Sequence, residues 1–538
     1  MAGSLVVAPT SIKKIWVLSF ELEGYVSLGG LGRAVARHGS GLVKRGFDVT
    51  VFLPSHGRHL SRDYVERLGM RPVQGFTPCG YRVGVDGVSR RYCLGAEEIW
   101  LGGARVIIFK GLDYETGRFI DKWGVYEELP EKACLYTRAL IHWIYWSGEK
   151  PDVIHANDWP TALAGVVAKN IFELMGYSIP LLYMVHLISS PSFPWHYPSD
   201  QWCGLPDTLH RVWNGYSHVK RSTREIWDSL GGNVDMFSLV EADAIASVSW
   251  GYMEEILNRF GRWMHPKACV VHNSTDWEVE SVSRYARDRF GTSSRKLLRK
   301  RISDIVGSIN NPRTGYLSKK EIIISSSGRA TWQKGFDVLI RASDHLDDRF
   351  GIIIMAVSVG DKGFEENISR MALERWGRVL ILWDEIDSNT RKTIAYLSNV
   401  YAVPSRYEPF GIVSIEAQAL GTPVVVSRTG GLPETMQEIR GDGSGTGLLV
   451  NPEDHWGLAR AIRSLAWASE VADTGDLGLV VNIEIPEVAE AVLKKPDLTR
   501  VNTIAWVDTR FREESILGEL VACYGKARQM AYYRAVTP

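Results

Sequence analysis

Ile15-Trp16-Val17-Leu18, then Gly29-Gly30-Leu31-Gly32, then Asp48-Val49-Thr50-Val51-Phe52-Leu53 is the stretch whose reading decides the fold. Ile15 to Leu18 is a short apolar run of the length of a buried strand. The glycine turn leads into an amphipathic stretch reaching about Arg45, with Gly46 in the left-handed position that follows a helix. Asp48 to Leu53 is a second β-branched apolar run, and Pro54 ends it. Strand, glycine turn, helix, strand is a βαβ unit, which demands parallel pairing through a right-handed crossover.

Working outward, short apolar runs at 105–109, 153–155, 181–185 and 244–247 continue the series. The pattern then restarts. A strand at 321–325 meets the polar turn Gly328-Arg329-Ala330-Thr331-Trp332-Gln333-Lys334-Gly335, followed by a helix from Phe336 to about Leu346. Further strands are read at 352–354, 379–382, 400–403, 423–426 and 447–450. The fold class is therefore α/β, with two Rossmann-like doubly wound sheets, each covered by helices on both faces. The division reads as an N-terminal domain over 1–275, hinge or linker helices over 276–320 and a C-terminal domain over 321–505. An irregular insertion is expected at about 473–499, and a final helical segment over 506–538. The basic run Arg295, Lys296, Arg299, Lys300 and Arg301 reads as a solvated helix face. No repeat of solenoid period is visible.

The chain has 538 residues with 62 basic and 62 acidic side chains, 45% hydrophobic and 23% charged. That composition belongs to a globular protein and excludes wholesale disorder. The zero balance argues against a general nucleic-acid binder, which carries a basic excess. No run reaches the ~18 apolar residues of a membrane span. The opening, Met1 to Thr10, lacks a basic leader, so no signal peptide is expected. The six cysteines, Cys79, Cys93, Cys134, Cys203, Cys269 and Cys523, have no paired short spacing. They read as buried or free thiols in a reducing, cytoplasmic setting.

The candidate chemistry falls at the carboxyl ends of strands, where open α/β sheets bind ligands. Gly29 and Gly30 bare backbone N–H groups at a helix N-terminus, without the Lys-Ser/Thr ending of a phosphate loop. Arg329 and Lys334 lie five positions apart on one turn and could converge on a diphosphate. In Pro404-Ser405-Arg406-Tyr407-Glu408-Pro409-Phe410-Gly411, Glu408 sits in a strand-to-helix loop and Gly411 opens the helix. Glu416, eight positions on, is placed to accept from ribose hydroxyls. Thr429-Gly430-Gly431 forms a further glycine turn. His155 reads as a structural, hydrogen-bonded residue, with Asp158 as an N-cap. His186 ends a strand before the polar loop Ser189-Ser190-Pro191-Ser192 and suits a sugar contact. Asp384, Glu385 and Asp387 do not make a metal site. None of the 19 tryptophans is assigned to sugar binding.

Taken in order, Ser27-Leu28-Gly29-Gly30-Leu31, Pro54-Ser55-His56-Gly57-Arg58, His155-Ala156-Asn157-Asp158-Trp159, Val248-Ser249-Trp250-Gly251-Tyr252, Gly328 to Gly335, Glu408 to Glu416 and Arg428 to Leu432 resemble the starch and glycogen synthases. These are retaining glucosyltransferases of the GT-B fold. The resemblance implies a sugar nucleotide held mainly by the second domain, a glucan acceptor on the first, and a last helix crossing back. It implies Arg329 and Lys334 on the donor diphosphate, Glu408 as the essential acid near the glucose and His186 on the donor sugar. These four form the expected catalytic set. Gly29, Gly30, Asp158, Phe410, Gly411, Glu416, Thr429, Gly430 and Gly431 form the expected substrate-binding set. No metal and no cofactor beyond the donor are implied.

The expected partners are ADP-glucose or UDP-glucose and a glycogen or α-glucan acceptor, without nucleic acid or membrane. A homo-oligomer is compatible with the sequence. The alternatives are a GT-B enzyme acting on a small-molecule acceptor, or a non-catalytic glucan-binding paralogue. The main departure is Ser27, where the family usually has a lysine against the donor phosphate. Arg33 is the candidate replacement cation.

Overall fold

The alternation of apolar runs and amphipathic helices builds two separate sheets, one in each of two compact units. The computed structural model describes residues 6–7, 11–189, 191–384 and 386–536. Ser190, Glu385 and most of the opening Met1 to Thr10 segment lie outside the described residues.

The first unit comprises Met1–Val248, Met253–Val271 and Leu517–Pro538. Its sheet runs, edge to edge, Ala268–Val270, Ala244–Ser247, Leu181–Val185, Val153–Asn157, Lys14–Leu18, Asp48–Pro54, Ala104–Gly111, Ser89–Leu101 and Arg71–Pro72. The strands are parallel from Ala268–Val270 through Ala104–Gly111, and the remaining pairs are antiparallel. Ile15, Leu18, Phe52, Ile107, Val153 and Leu182 are wholly buried along these strands. A fully covered parallel sheet buries both faces of its strands, which is why these runs read as continuous apolar stretches. The antiparallel ribbon Cys79–Val83 against Ser89–Leu101 went unread, because its exposed face is polar and charged.

That ribbon corrects the reading of the cysteines. Cys79 and Cys93 occupy directly opposed positions on its two strands and form a disulfide. A second disulfide joins Cys269, on the edge strand, to Cys523 on the last helix, 254 residues away in sequence. Cys134 and Cys203 remain free and buried. Opposition across a strand pair or between distant elements leaves no trace in linear spacing.

The second unit comprises Ser249–Tyr252 and His272–Ile516. Its sheet order is Arg313–Gly315, Val379–Trp383, Phe350–Val357, Ile322–Arg329, Val400–Val403, Val424–Ser427 and Gly447–Val450. All pairs are parallel except that of the Arg313–Gly315 edge. Ile322–Arg329 runs four residues beyond the expected strand, so Arg329 ends a strand rather than opening a turn.

Two expectations in this unit are corrected. The stretch read as a hinge is packed into the unit, and its basic run is not wholly solvated. On the helix Arg295–Lys300, Arg295, Leu298 and Arg299 share one buried face by their i, i+3, i+4 spacing. The Arg299 guanidinium donates to Asp473 at 2.9 Å, to Glu470, and to the Leu397 carbonyl at 3.1 Å. Arg295 donates to the Tyr396 and Leu420 carbonyls. Lys296, Lys300 and Arg301 are exposed, as read.

The segment read as an irregular insertion is helical. It holds the end of His455–Thr474, the 3₁₀ turn Leu477–Asn482 and the helix Pro486–Lys494. Val488, Ala491 and Val492 are wholly buried in the core of the unit. The final helical run is two helices, Leu498–Arg510 and Glu513–Val536.

Candidate functional site

In the second unit the chain leaves the central strand Ile322–Arg329 toward Phe350–Val357, then later returns to its other side at Val400–Val403. The carboxyl ends of those two central strands therefore flank the crevice where doubly wound sheets bind ligands. Arg329 stands there exposed, with no ion pair among the described residues. Lys334 closes the 3₁₀ turn Trp332–Lys334 and donates from Nζ to Glu408 Oε2 at 2.5 Å. Ser405 Oγ donates to the same carboxylate oxygen at 3.3 Å. Gly335 has φ +65°, and a Cβ there would fall 2.1 Å from the Pro404 carbonyl oxygen. Only glycine lets the two loops approach closely enough to form this pair.

The glycine turn 429–431 lies directly against the Glu408 loop. The Gly431 N–H donates to the Glu408 carbonyl at 3.0 Å, and a Cβ on Gly430 (φ +50°) would sit 2.1 Å from that oxygen. Thr429 Oγ1 donates to the Arg406 carbonyl at 3.1 Å. Arg406 is a brace: Asp337 grips its guanidinium at two 2.8 Å contacts, Glu453 adds another, and the Trp332 ring lies 4.5 Å away. Burial raises the Asp337 carboxyl, but Arg406 outweighs it and holds the group below the usual range.

Gly411 is the N-cap of the helix Ile412–Ala419, with φ +101°. The Phe410 ring is 2% exposed and packs 5.7 Å from both His272 and Phe511, so only its backbone is open to a ligand. Glu416 is buried, with a carboxylate oxygen 3.6 Å from the Arg391 guanidinium.

One carboxylate close to the glycine turn escaped the sequence reading. The Glu434 carboxylate accepts from the backbone N–H groups of Trp250 (2.9 Å) and Gly251 (2.6 Å) and lies 3.1 Å from His272 Nε2. Burial raises its pKa, but these three bonds outweigh burial and keep it ionised. The signal was its place just after Gly430-Gly431-Leu432-Pro433.

In the first unit the corresponding switch lies between Lys14–Leu18 and Val153–Asn157. Asp158 precedes the helix Trp159–Leu174, but its side chain does not cap that helix. Its carboxylate instead accepts from the His186 N–H at 2.7 Å and the Leu187 N–H at 3.1 Å. Its backbone is held at φ +56°, ψ 169°, a conformation that is costly for any residue with a Cβ. Burial pushes its carboxyl up to about 7 against those two hydrogen bonds. His186 Nε2 lies 3.0 Å from Asn157 Oδ1, and Asn157 is anchored by its amide to the Leu18 carbonyl. Burial, helped by His38, pushes the His186 imidazole down to about 3, so it is neutral. His155 Nδ1 lies 3.0 Å from the Tyr524 hydroxyl in the core.

At the glycine turn of this unit two N–H groups are already taken by a side chain. Gly29 is the N-cap of the helix Gly30–Lys44, and the Glu21 carboxylate accepts from the N–H groups of Leu28 (2.7 Å) and Gly29 (3.2 Å). The Tyr126 hydroxyl donates to the same carboxylate. Ser27 Oγ turns inward to the Gly29 carbonyl at 3.2 Å. Arg33 is part-exposed, with Nε 3.9 Å from Glu23.

Two doubly wound units, each with polar and charged side chains at its switch point, are the architecture of a GT-B glycosyltransferase. Residues 14–266 match the starch synthase catalytic domain, and residues 310–471 match the glycosyl transferases group 1 family. The chain belongs to the starch and glycogen synthase family. It is 26% identical over 475 residues to a glycogen synthase of Thermotoga petrophila, covering 84% of this chain and 90% of that protein. A glycogen synthase of Desulfitobacterium hafniense is 25% identical over 79% of this chain and 85% of its own length. In fold, it is similar to the catalytic domain of starch synthase IV from Arabidopsis thaliana, solved with ADP and acarbose. That match has TM-score 0.69 at 18% identity and covers 97% of this chain and 100% of that one.

Proposed function

We propose that this glycosyltransferase moves glucose from ADP-glucose or UDP-glucose to the non-reducing end of an α-1,4-glucan, with retention of configuration. The observation that carries the reading is the Lys334–Glu408 pair beside Arg329 at the switch point of the second unit. A strand-end cation, a loop cation and a facing carboxylate suit a reaction in which negative charge grows on a leaving diphosphate while positive charge grows at the sugar.

The C1–O bond to the β-phosphate breaks, and Arg329, Lys334 and the N–H groups at Gly411 stabilise the departing oxygen. The acceptor 4-hydroxyl oxygen bonds to C1 from the same face, and its proton leaves with the phosphate. Glu408, fixed by Lys334 and Ser405, presents its carboxylate to the glucosyl group. Glu416 receives the ribose hydroxyls, and Gly430 and Gly431 line the phosphate and glucosyl groups. His186 and Asp158 are the sugar-facing residues of the first unit. The reading calls for no metal and no cofactor besides the donor.

The glycogen synthases named above support the acceptor assignment. Among the described residues no helix is long and apolar enough to cross a membrane. Cytoplasm is proposed as the compartment on the likeness to glycogen synthases alone, because two disulfides replace the free thiols expected from the sequence. Incubating the chain with glycogen and each donor tests the whole. Nucleoside diphosphate release matched by label precipitating with glycogen is the expected result. Transfer only to a small acceptor, or none with either donor, overturns it.

A further inference from the structure

The proposed ribose contact, Glu416, is held by a side chain that has no signature in the sequence. Arg391 lies in the first turns of the helix Ser388–Leu397, and Glu416 in those of Ile412–Ala419. Each helix follows a parallel strand of the second unit, Val379–Trp383 or Val400–Val403, so both helices start at the carboxyl edge of the sheet. Helical side chains lean toward the N-terminus of their helix, which carries both residues toward that edge.

Glu416 is 5% exposed, and a carboxylate buried that deeply needs a cation or donors beside it. Arg391 Nη2 stands 3.6 Å from Glu416 Oε1, an ion pair longer than a hydrogen bond. The same guanidinium lies over an aromatic face, with Cζ 4.9 Å from the centre of the Trp277 ring. That seat is fixed. Trp277 is buried, and Arg512 donates to its carbonyl at 2.7 Å. The pair also adjoins the strand that ends in Arg329. Burial, with the Glu416 charge adding to it, pushes the Tyr401 phenol up, and the Tyr401 hydroxyl is in hydrogen-bond contact with Ser327 Oγ. Ser327 precedes Arg329 by two residues on one face of that strand, a step of roughly 7 Å, which is the scale separating a ribose from its diphosphate.

The last torsion of a glutamate is broad, so an untethered carboxylate must be ordered when a ligand arrives. Arg391 fixes that torsion through one oxygen, while a carboxylate offers about four acceptor positions in all. We infer that Arg391 is a positioning residue for the sugar-nucleotide donor: seated on Trp277, it holds the Glu416 carboxylate ready for the two vicinal ribose hydroxyls. This role rests on the ribose contact proposed for Glu416, and Arg391 itself touches no part of the donor. Its consequence is selectivity for nucleotides that carry both hydroxyls.

The test compares wild type, Arg391→Ala, Arg391→Lys, Glu416→Ala and the double variant Arg391→Ala/Glu416→Ala by calorimetry. The ligands are ADP, UDP, their 2′,3′-dideoxy analogues and inorganic pyrophosphate. Arg391→Ala should weaken the preferred nucleoside diphosphate roughly tenfold. Arg391→Lys should recover part of the loss, because it keeps the charge without the planar fork. The dideoxy analogue and pyrophosphate offer no ribose hydroxyls and should bind wild type and Arg391→Ala alike. In the double variant, Arg391→Ala should add nothing to the loss from Glu416→Ala. Donor KM should rise in step with the binding loss, with kcat changed by less than about twofold.

Equal losses for the nucleotide and for pyrophosphate, or additive losses in the double variant, overturn the positioning role. If Glu416→Ala weakens nucleotide binding and Arg391→Ala does not, Arg391 loses its role while the ribose contact stands. A silent Glu416→Ala removes both, as does a wild-type chain that binds neither nucleotide. Calorimetry needs no acceptor and no turnover. The expected pattern in a chain that transfers no glucose therefore supports the role of Arg391 and counts against the transfer reading alone.

Discussion

Each sheet ends a central strand beside a glycine-bearing turn at a switch point, yet the two turns meet their anions differently. In the second unit Arg329 is exposed and unpaired among the described residues, and Lys334 is satisfied by a carboxylate that faces the same crevice. That arrangement leaves net positive character at the strand end, which suits the diphosphate proposed there. In the first unit Glu21 already accepts the N–H groups of Leu28 and Gly29, two of the donors offered at that turn. A glycine turn at a helix start thus marks an anion site only by opportunity. The local carboxylate decides whether a ligand or the protein itself fills it.

The comparison is most easily broken at Glu408. Glu408→Gln keeps the shape of the loop, and kcat is expected to fall roughly 10³-fold with nucleotide affinity little changed. Near-normal turnover in steady-state assays would remove the carboxylate from the mechanism. Arg329→Ala comes next. As a strand-end residue without a partner it should cost about 10²-fold in kcat and leave Tm unchanged; a fall in Tm without a fall in kcat would make it structural.

Glu21→Ala probes the other turn. It should cost about 1–3 kcal/mol of stability through lost charge-assisted hydrogen bonds. It should also enlarge the rise in Tm on adding inorganic phosphate beyond that of the wild type, because the proposed diphosphate site at Arg329 and Lys334 is intact in both chains. If phosphate stabilises wild type and variant equally, the N–H groups that Glu21 holds do not form an anion site. Arg33→Ala should lower kcat/KM about tenfold if Arg33 stands in for a lysine at position 27, and Ser27→Lys should restore part of the loss. A silent Arg33→Ala would leave Arg33 only its part-exposed pairing with Glu23.

The subtlest effect is read as a sign. Asp158 has its carboxyl raised from 3.8 to about 7 by burial, so the folded chain binds the proton more tightly than the unfolded chain. Its contribution is therefore present at pH 4 and lost as pH rises toward 7. Asp158→Asn does not titrate, so the Tm difference of variant minus wild type should grow in the variant's favour from pH 4 to pH 8. Parallel Tm curves would contradict the raised pKa.

The strands at Ile15, Asp48, Val153, Leu181, Ala244, Val379, Val400 and Gly447 were legible because buried parallel strands are uninterrupted apolar runs. The loops bearing Lys334, Glu408 and Gly430 were legible because each follows such a strand, whereas Arg329 lies in the strand itself. Glu434 was not, since a carboxylate that receives backbone N–H groups from residues 250 and 251 has no local signature. The N-cap reading of Asp158 failed for the same reason: the competing donors, at His186 and Leu187, come from a different strand end.

Periodicity and turn chemistry, which are local properties, determined by themselves that this chain makes two parallel sheets and which loops lie at their carboxyl ends. Only the tertiary structure decided that Arg295 and Arg299 turn inward while Lys296 and Lys300 do not, that four cysteines pair, and that residues 473–499 fold as helices onto the core. Those outcomes depend on which partners arrive from far along the chain. A guanidinium is buried only where Glu470, Asp473 and unpaired carbonyls await it, and a thiol pairs only where another stands opposite.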